Sequence, residues 1–406
     1  MMESSNFRVG TGASFSRNNQ LAFAESQQLA RPNREGTSGN LIRFKSLPRA
    51  VKHHRERWAD ANRGAIGLHT KNAALFSPQQ WLLSGNPRLA KLVSQTIGTR
   101  WINHVEDLEQ LVTFAECPLF QSQWQAVKLA NKQALALELK RSQGIDIDVN
   151  SLFDLHLQPI GAHHRQLLNI LHIINLGDRL KQYPGSKMVP RTFIFGDVDV
   201  VPAADLATVD PNLKRSIIAL IESLAKIIAA DRDLCGKIQI VYIPDAQAWA
   251  HKLYAAADVT EQIATAAIED IDLTKIQATI NGAIAIGSLG KTNYWLQQIV
   301  GESNCFRFGL AIPEIELFKE YGYDPINYYK HYPQIRQAID YLLGGYFSAS
   351  EPSLGRAIVN TLLGADEQMV MADYIFYAAC QAHVSETYDR ASQWTQMSIL
   401  NVAGVR

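Results

Sequence analysis

From about residue 150 to residue 300, short apolar segments alternate with longer amphipathic ones. The segments Leu152–Leu157, Arg191–Phe195 and Lys237–Ile243 have the length and composition of buried strands. Between them, the segments from Arg165 to about Lys181 and Leu213–Ala230 carry Leu and Ile at helical spacing. Strands joined by helices of this length pair in parallel, with helices packed on both faces of the sheet. The pattern therefore predicts an α/β fold built on a Rossmann-like parallel sheet.

The segments on either side of this pattern are mainly helical in character. Residues 119–143 lack Pro and Gly and predict one long helix that ends at Gly144. We expect a further strand over Ala278–Ile286, followed by a helix over Asn293–Val300. Residues 327–401 are typical of helices, so we predict a helical periphery around the sheet.

The N-terminal region differs from the rest of the chain in composition. Residues 1–65 contain eleven of the 39 Lys and Arg residues but only five of the 39 Asp and Glu residues. They are also rich in Ser, Asn, Gln and Gly, so they bury too little apolar surface to offset the entropy of ordering. We predict that residues 1–63 form a basic arm, disordered or ordered by a partner, and that residues 64–406 form the folded domain.

Arginines and aromatic residues alternate in the second half of this arm. The residues expected to contact a partner are Arg43, Phe44, Arg55, Arg57 and Trp58. Arginine binds carboxylates bidentately, and aromatic rings fill pockets, so the segment favours docking on an acidic protein surface. A solvated linker and a cleaved organelle transit segment are the alternative interpretations.

Bulk properties exclude several classes of protein. The formal net charge is zero, which gives no general attraction to nucleic acid. No apolar run is long enough to span a membrane. The four cysteines are widely spaced, which argues against a zinc ribbon or a disulfide scaffold and is typical of a reducing compartment. We therefore expect a protein of the cytoplasm or of the plastid stroma.

Several short motifs occur in a specific order and spacing. They are SLFD at 151–154, RQLLN at 165–169, DVTEQI at 258–263, INGAIAIG at 280–287, FS at 347–348, ADY at 372–374 and QWT at 393–395. In these motifs the chain resembles the α-glucan (glycogen/starch) phosphorylases over about residues 64–405. The resemblance implies the C-terminal domain of a GT-B-type phosphorylase, in which two Rossmann-like domains face each other across a cleft and the second holds pyridoxal phosphate.

One departure from the family's pattern predicts that the cofactor has been lost. In the family, a lysine forms the Schiff base with pyridoxal phosphate, and an ungapped count places Gln277 at that position. A carboxamide cannot condense with the aldehyde, so we expect no cofactor. Lys275 is the alternative amine, because it would share the face of Gln277 if this segment were a strand.

The family's phosphate-binding cations are replaced as well. The ungapped equivalents of its cation-rich segment include Gln158, Pro159, His163 and His164. Its glycine-rich loop becomes residues 196–199, where the carboxylates of Asp197 and Asp199 would repel phosphate. Two site residues of the family, Glu269 and Trp81, are retained.

Two further patterns have simpler interpretations. Residues 285–292, AIGSLGKT, fit a permissive phosphate-loop pattern, but they align without gaps with a loop of the phosphorylases. We therefore interpret them as a strand-to-helix turn. Adjacent histidines, at 53–54 and 163–164, rarely share a metal ion, so we expect no metal site.

From these features we predict a catalytically inactive phosphorylase-like protein. We expect it to be a non-catalytic subunit or scaffold of a larger protein assembly. Two alternatives remain: a glucan-binding or regulatory homologue, and one part of a split α-glucan phosphorylase. Protein partners with an acidic surface are expected, nucleic acid is not, and an α-glucan is retained as a candidate ligand.

Overall fold

The computed structural model describes residues 77–161, 165–198, 210–266, 274–347 and 353–405. The α-helices are α1 Pro78–Gly85, α2 Pro87–Ile97, α3 Pro118–Gln143, α4 Gln166–Gln182, α5 Pro211–Ala230, α6 Ala250–Ala256, α7 Thr274–Thr279, α8 Lys291–Val300, α9 Ile312–Tyr321, α10 Pro325–His331, α11 Pro333–Leu343, α12 Ser353–Leu363, α13 Val370–Tyr388 and α14 Ala391–Gly404. The strands are β1 Leu152–Leu157, β2 Arg191–Gly196, β3 Ile238–Ile243, β4 Val259–Gln262, β5 Ile284–Ser288 and β6 Phe306–Phe308. Short 3₁₀ helices include Val105–Phe114. The predicted arm lies outside the described residues.

The six strands form one parallel sheet in the order β3-β2-β1-β4-β5-β6. β1 lies in the middle of the sheet. β2 and β3 extend one half outwards from it, and β4, β5 and β6 then form the other half. The sheet therefore reverses its direction of growth between β1 and β4, where Asp154 pairs with Val259. This strand order confirms the predicted Rossmann-like fold.

Alternate side chains of the strands enter two separate cores. On one face, Phe193 and Phe195 pack with the apolar stripes of α4 and α5. On the other face, Leu155 and Ile194 pack with α3 and α6. Side chains of a strand alternate between faces, so helices cover both sides of a largely buried sheet.

The long helix predicted before the sheet is confirmed. Pro118 occupies the first turn of α3, where its missing N–H is not needed. Gly144 ends the helix at φ 71°, a left-handed conformation that favours glycine. The peripheral helices after residue 327 are also present.

The strand predicted over Ala278–Ile286 is wrong in its first half. Ile276 and Ile280 are one helical turn apart and both are buried, so this segment is the end of α7 and the turn that follows. The chain reverses at Gly282, at φ 71°, where an added Cβ would lie 2.6 Å from Ser398 Oγ. β5 begins only at Ile284. Among the described residues, no helix is long and apolar enough to cross a membrane.

Candidate functional site

Ligands of open α/β sheets bind outside the carboxyl ends of the strands where strand order reverses. In this chain that place lies beyond β1 and β4, and Gln158 and Pro159 follow β1 directly. Gln158 Nε2 lies 3.4 Å from the carbonyl oxygen of Glu261, to which it donates. The carbonyl of Pro159 accepts from Gln166 Nε2 at 2.9 Å. A neutral amide and a proline thus occupy the two positions where the resemblance implies cations.

Asp197 follows β2 at the same edge of the sheet. Its Oδ1 accepts from the backbone N–H of Ile160 at 3.1 Å, and its Oδ2 lies 2.9 Å from Lys214 Nζ. The expected repulsion of phosphate by Asp197 must therefore be corrected, because Lys214 compensates this charge. Asp199 lies outside the described residues.

Arg165 and Asp373, from two separate motifs, meet beside the crevice. Arg165 is 1% exposed and donates to Ile263 O at 2.6 Å, Gln368 O at 2.7 Å and Asp373 Oδ2 at 2.8 Å. The other oxygen of Asp373 accepts from Leu310 N–H at 2.8 Å. The pair ties the start of α4 to α13 and to the segment after β4. Both residues belong to motifs, RQLLN and ADY, and no contact between them was predicted. A charged residue within an otherwise buried motif is the sequence signal for such a contact.

Gln277 lies in α7 and is half-buried. Its backbone oxygen accepts from Asn281 Nδ2 at 2.7 Å, and Asn281 Oδ1 accepts from Asn86 Nδ2 at 3.0 Å. Because this segment is helical, positions 275 and 277 are separated by about 200° around the axis and do not share a face. The strand on which Lys275 would share the face of Gln277 is therefore not formed.

Lys128 is the described amine that approaches this segment from α3. Its Nζ donates to the carbonyl oxygens of Ala255 at 3.3 Å, Ala257 at 2.7 Å and Asn281 at 3.2 Å. Burial lowers the pKa of Lys128 to about 8. All three hydrogen-bonding positions of the ammonium group are used by main-chain carbonyls, which gives Lys128 a structural task.

Trp81 packs between helices. Its ring stacks on His251 with the centroids 3.8 Å apart, and the edge of Tyr254 lies 6.2 Å away. These contacts join α1 to α6, so packing explains a tryptophan at this position. The remaining predicted site residues lie outside the described residues; they are Glu269, His163, His164, Arg43, Phe44, Arg55, Arg57 and Trp58.

A buried charged cluster in the middle of the sheet was not anticipated from the sequence. Arg191 on β2 pairs with Asp154 Oδ2 on β1 at 2.9 Å. Glu261 Oε1 on β4 accepts from Tyr377 Oη at 2.9 Å and Gln381 Nε2 at 2.6 Å. Burial, and for Glu261 also the charge of Asp154, raises the pKa of both carboxyl groups. Two carboxylates facing one arginine favour uptake of a proton by the pair.

The phosphate-loop-like segment forms the turn between β5 and α8, as interpreted from the sequence. Asn293 Nδ2 donates to Ser288 O and to Gln262 O, both at 3.1 Å. The same amide would lie 2.4 Å from a Cβ added to Gly287, so it fills the space beside the turn. Within the described parts of the chain, no three His, Cys, Asp or Glu side chains are grouped to hold a metal ion.

Comparison with known proteins shows which family most of this chain matches. The model of the carbohydrate phosphorylase family matches residues 70–406. The chain belongs to the carbohydrate phosphorylase family. It is 35% identical over 328 residues to the glycogen phosphorylase of Synechocystis sp., which covers 80% of this chain and 38% of that protein. The muscle forms of glycogen phosphorylase from mouse and human are 34% and 33% identical over 329 residues, or 81% of this chain and 38% of each relative.

This phosphorylase-family chain spans about two fifths of the length of the curated relatives it matches, at 38% of each. The resemblance inferred from the motifs is thereby confirmed. The buried positions on which the family framework depends, including Leu167, Leu168, Ile280 and Ile284, are fully buried. The polar positions at the crevice depart from the residue types that the resemblance implies.

Proposed function

We propose that this chain is a non-catalytic member of the carbohydrate phosphorylase family that serves as a subunit or scaffold of a larger protein assembly. The observation that carries the proposal is Gln277, which occupies the position that the resemblance assigns to the Schiff-base lysine. A Schiff base requires a primary amine, and a carboxamide cannot replace it. The proposal therefore includes loss of pyridoxal phosphate.

The surroundings of Gln277 support this proposal. Lys128, the amine that reaches the turn after α7, donates to three carbonyl oxygens. Gln158 and Pro159 bring no positive charge to the crevice, and the ammonium group of Lys214 is paired with Asp197. Phosphate recognition depends on cations and on donors that are not otherwise engaged. The described residues thus do not fit a phosphorylated cofactor, and we derive no catalytic step for them.

The assembly role is supported by the uneven distribution of charge. The basic residues 1–65 leave the remaining residues with 28 Lys and Arg against 34 Asp and Glu. A basic segment that contains aromatic residues suits attachment to an acidic protein surface. We place this role in the cytoplasm or the plastid stroma.

The experiment that tests the loss of cofactor uses the full chain purified without added pyridoxal phosphate. We expect no absorbance band of a pyridoxal Schiff base in the near ultraviolet and visible, and no pyridoxyl adduct after borohydride reduction and peptide mapping. An adduct mapped to any lysine would overturn the proposal. Assay of glucose 1-phosphate from glucan and phosphate, carried out with the proteins that co-purify with the native chain, tests the alternative of a split phosphorylase.

The assembly role requires a second experiment. Purification of the native protein, followed by identification of the proteins that co-purify, should yield a defined complex in constant ratio. A glucan pull-down in parallel tests the alternative of a glucan-binding homologue. Retention on glucan without any protein partner would favour that alternative and contradict the assembly role.

A further inference from the structure

The loop between α12 and α13 is closed around one buried carboxylate. Asp366 is 3% exposed. Its Oδ1 accepts from the backbone N–H of Val370 at 3.0 Å, and its Oδ2 accepts from the backbone N–H of Met371 at 2.9 Å. Tyr323 Oη also donates to Oδ2, at 2.5 Å. A single side chain thus caps the first turn of α13 and joins that turn to the segment between α9 and α10.

The backbone of this α12–α13 loop is held in a strained conformation. Asp366 has φ 38° and Met369 has φ 52°, and residues other than glycine rarely adopt such left-handed conformations. The side chain of Met369 is buried in one apolar cluster with Ala266, Leu310 and Ile315. Strain of this kind persists only where the surrounding contacts enforce it. The closed loop therefore depends on the hydrogen bonds of Asp366 and on the packing of Met369.

The same loop holds the segment that follows β4 beside the crevice. The backbone oxygen of Gln368 accepts from Arg165 Nη1 at 2.7 Å and from Thr265 Oγ1 at 3.3 Å. Gln368 Oε1 accepts from the same Thr265 hydroxyl at 2.6 Å. Because Thr265 comes three residues after the end of β4, these bonds fix the chain where it leaves the sheet. Opening of the loop would release both Thr265 and one of the bonds of Arg165.

The charge of Asp366 is only partly balanced by its surroundings. In the described part of the chain, the charged and titratable groups around it are Tyr323, Tyr328, Arg165 and Asp373. Burial raises the pKa of Asp366 from 3.8 to about 6, although Tyr323, two backbone N–H groups and the charge of Arg165 each lower it. Burial also raises the pKa of both tyrosines, and Arg165 is paired with Asp373. Asp366 is therefore the group of this set whose charge changes between pH 5 and pH 7.

We propose that Asp366 makes the α12–α13 loop a pH-sensitive latch, which holds the segment after β4 while the carboxyl group is protonated and opens more often once it is ionised. In the open loop Asp366 is in water, so the closed loop binds the proton more tightly than the open one. The stability of the closed loop is therefore present at low pH and is lost as pH rises through about 6. The latch concerns motion within the domain, so its failure would leave the proposed loss of catalysis untouched.

The test is hydrogen exchange of the full chain, followed by mass spectrometry at a series of pH values from about 4 to 8. Division of each rate by the intrinsic exchange rate at that pH gives the equilibrium constant for opening. For peptides covering residues 263–266 and 364–371, this constant should rise about tenfold from pH 5 to pH 7, as expected for a carboxyl group that titrates near 6 when the loop is closed and near 3.8 when it is open. A peptide from β2 reports unfolding of the whole domain. If the loop opened no more often than β2, there would be no separate latch.

Three variants separate the latch from a purely structural role. Asp366→Asn cannot titrate, so its opening constants at pH 5 and pH 7 should agree within about twofold. Tyr323→Phe removes a donor that lowers the pKa of Asp366, so the rise should be centred at a higher pH than in the wild type. Asp324→Asn is the matched control, because exposed Asp324 caps α10 by accepting from the backbone N–H of Ile326, and the tenfold rise should remain.

Circular dichroism establishes that each variant is folded. If Asp366→Asn does not fold, the wild type and Tyr323→Phe still decide the question, because the conservative variant keeps the carboxylate and its two backbone donors. A wild type without the rise, an Asp366→Asn variant that retains it, or a Tyr323→Phe variant whose rise is centred at the wild-type pH would each overturn the proposal.

Discussion

Arg165 shows how one buried charge can hold several elements together. Its guanidinium group donates to two carbonyl oxygens and to Asp373, and 1% of its surface is exposed. Removing one member of a buried ion pair leaves the other charged and unpaired in the interior. The interaction is therefore costly to break, whatever its net contribution to folding.

We expect Arg165→Met to lower the free energy of unfolding by about 3–5 kcal/mol, measured by urea denaturation at pH 7. The control is Lys187→Met, since Lys187 pairs with Asp389 at the surface with 81% of its side chain exposed. That variant should change the free energy of unfolding by less than about 1 kcal/mol. Equal losses from the two substitutions would contradict the structural role given to Arg165.

A second prediction at the scale of residues concerns Gln277. We expect Gln277→Lys alone to produce no detectable release of glucose 1-phosphate from glucan and phosphate. The amine would be restored, but Gln158 and Pro159 would still supply no cation to the crevice, and group transfer needs charge stabilisation as well as positioning. The assay includes pyridoxal phosphate and an active phosphorylase as positive control. Measurable turnover by the single variant would contradict the prediction.

At the scale of elements, the buried cluster joins β1, β2, β4 and α13. The pKa of Glu261 is raised well above 4.5, and that of Asp154 is also raised, both because burial disfavours the charged form. The folded protein therefore retains protons that the unfolded chain releases above about pH 4.5. Stability contributed by these protonated groups is present at low pH and is lost as pH rises towards their folded pKa values.

Glu261→Gln keeps the shape of a protonated glutamate and the acceptor for Tyr377 and Gln381, but it cannot release a proton. Relative to wild type, the variant should gain stability as pH rises above 4.5, by up to about 1.4 kcal/mol per pH unit. Urea denaturation at a series of pH values measures this slope. Glu106→Gln is the control: its own backbone N–H lowers the pKa of Glu106, so this variant should lose stability relative to wild type as pH rises towards 4.5 and show no further change above that pH. A pH-independent difference for Glu261→Gln would show that this group does not hold a proton.

Some strands of the sheet could be predicted from the sequence and others could not. β1, β2 and β3 were predicted because each is a mainly apolar segment of strand length between clear boundaries. β4 was missed because its sequence, VTEQ, is polar although all four residues are buried. The polar side chains there are satisfied by partners distant in sequence, such as Tyr377 and Gln381 for Glu261. Periodicity cannot reveal such tertiary partners.

The candidate site was also predicted only in part from the sequence. Gln277 and Gln158 were located from motifs and counting, and the fold supplies the crevice that the strand order implies. The compensation of Asp197 by Lys214 was missed because the two residues are seventeen positions apart in sequence and lie on different elements. The conformation of α7 was also missed, since its isoleucine spacing fits either a buried strand or a short helix. Local pattern thus gave the framework, and contacts between distant segments determined the electrostatics of the site.

At the scale of the whole molecule, the sequence divides into a basic N-terminal region and an acidic remainder. The arm, residues 1–63, holds the cations and the aromatic residues proposed to bind a partner. The family domain matches from residue 70 onwards, so the arm precedes the part shared with the glycogen phosphorylases. A segment outside the shared part is well suited to attach the domain to another protein without altering the family framework.

If the arm is the tether, deletion of residues 1–63 should abolish co-purification of the partner while leaving the domain folded. The attraction is largely electrostatic, and the Debye length falls from about 10 Å at 0.1 M salt to about 3 Å at 1 M, so association of the full chain should weaken as salt rises. Two full-length variants separate the contributions: Arg43, Arg55 and Arg57 changed to Gln should flatten the salt dependence, whereas Phe44 and Trp58 changed to Ala should weaken binding at every salt concentration. Pull-downs from cell extract at low and moderate salt measure all four proteins. If the truncated domain retains the same partners at the same salt as the full chain, the arm is not the tether, and the partner binds the family domain itself.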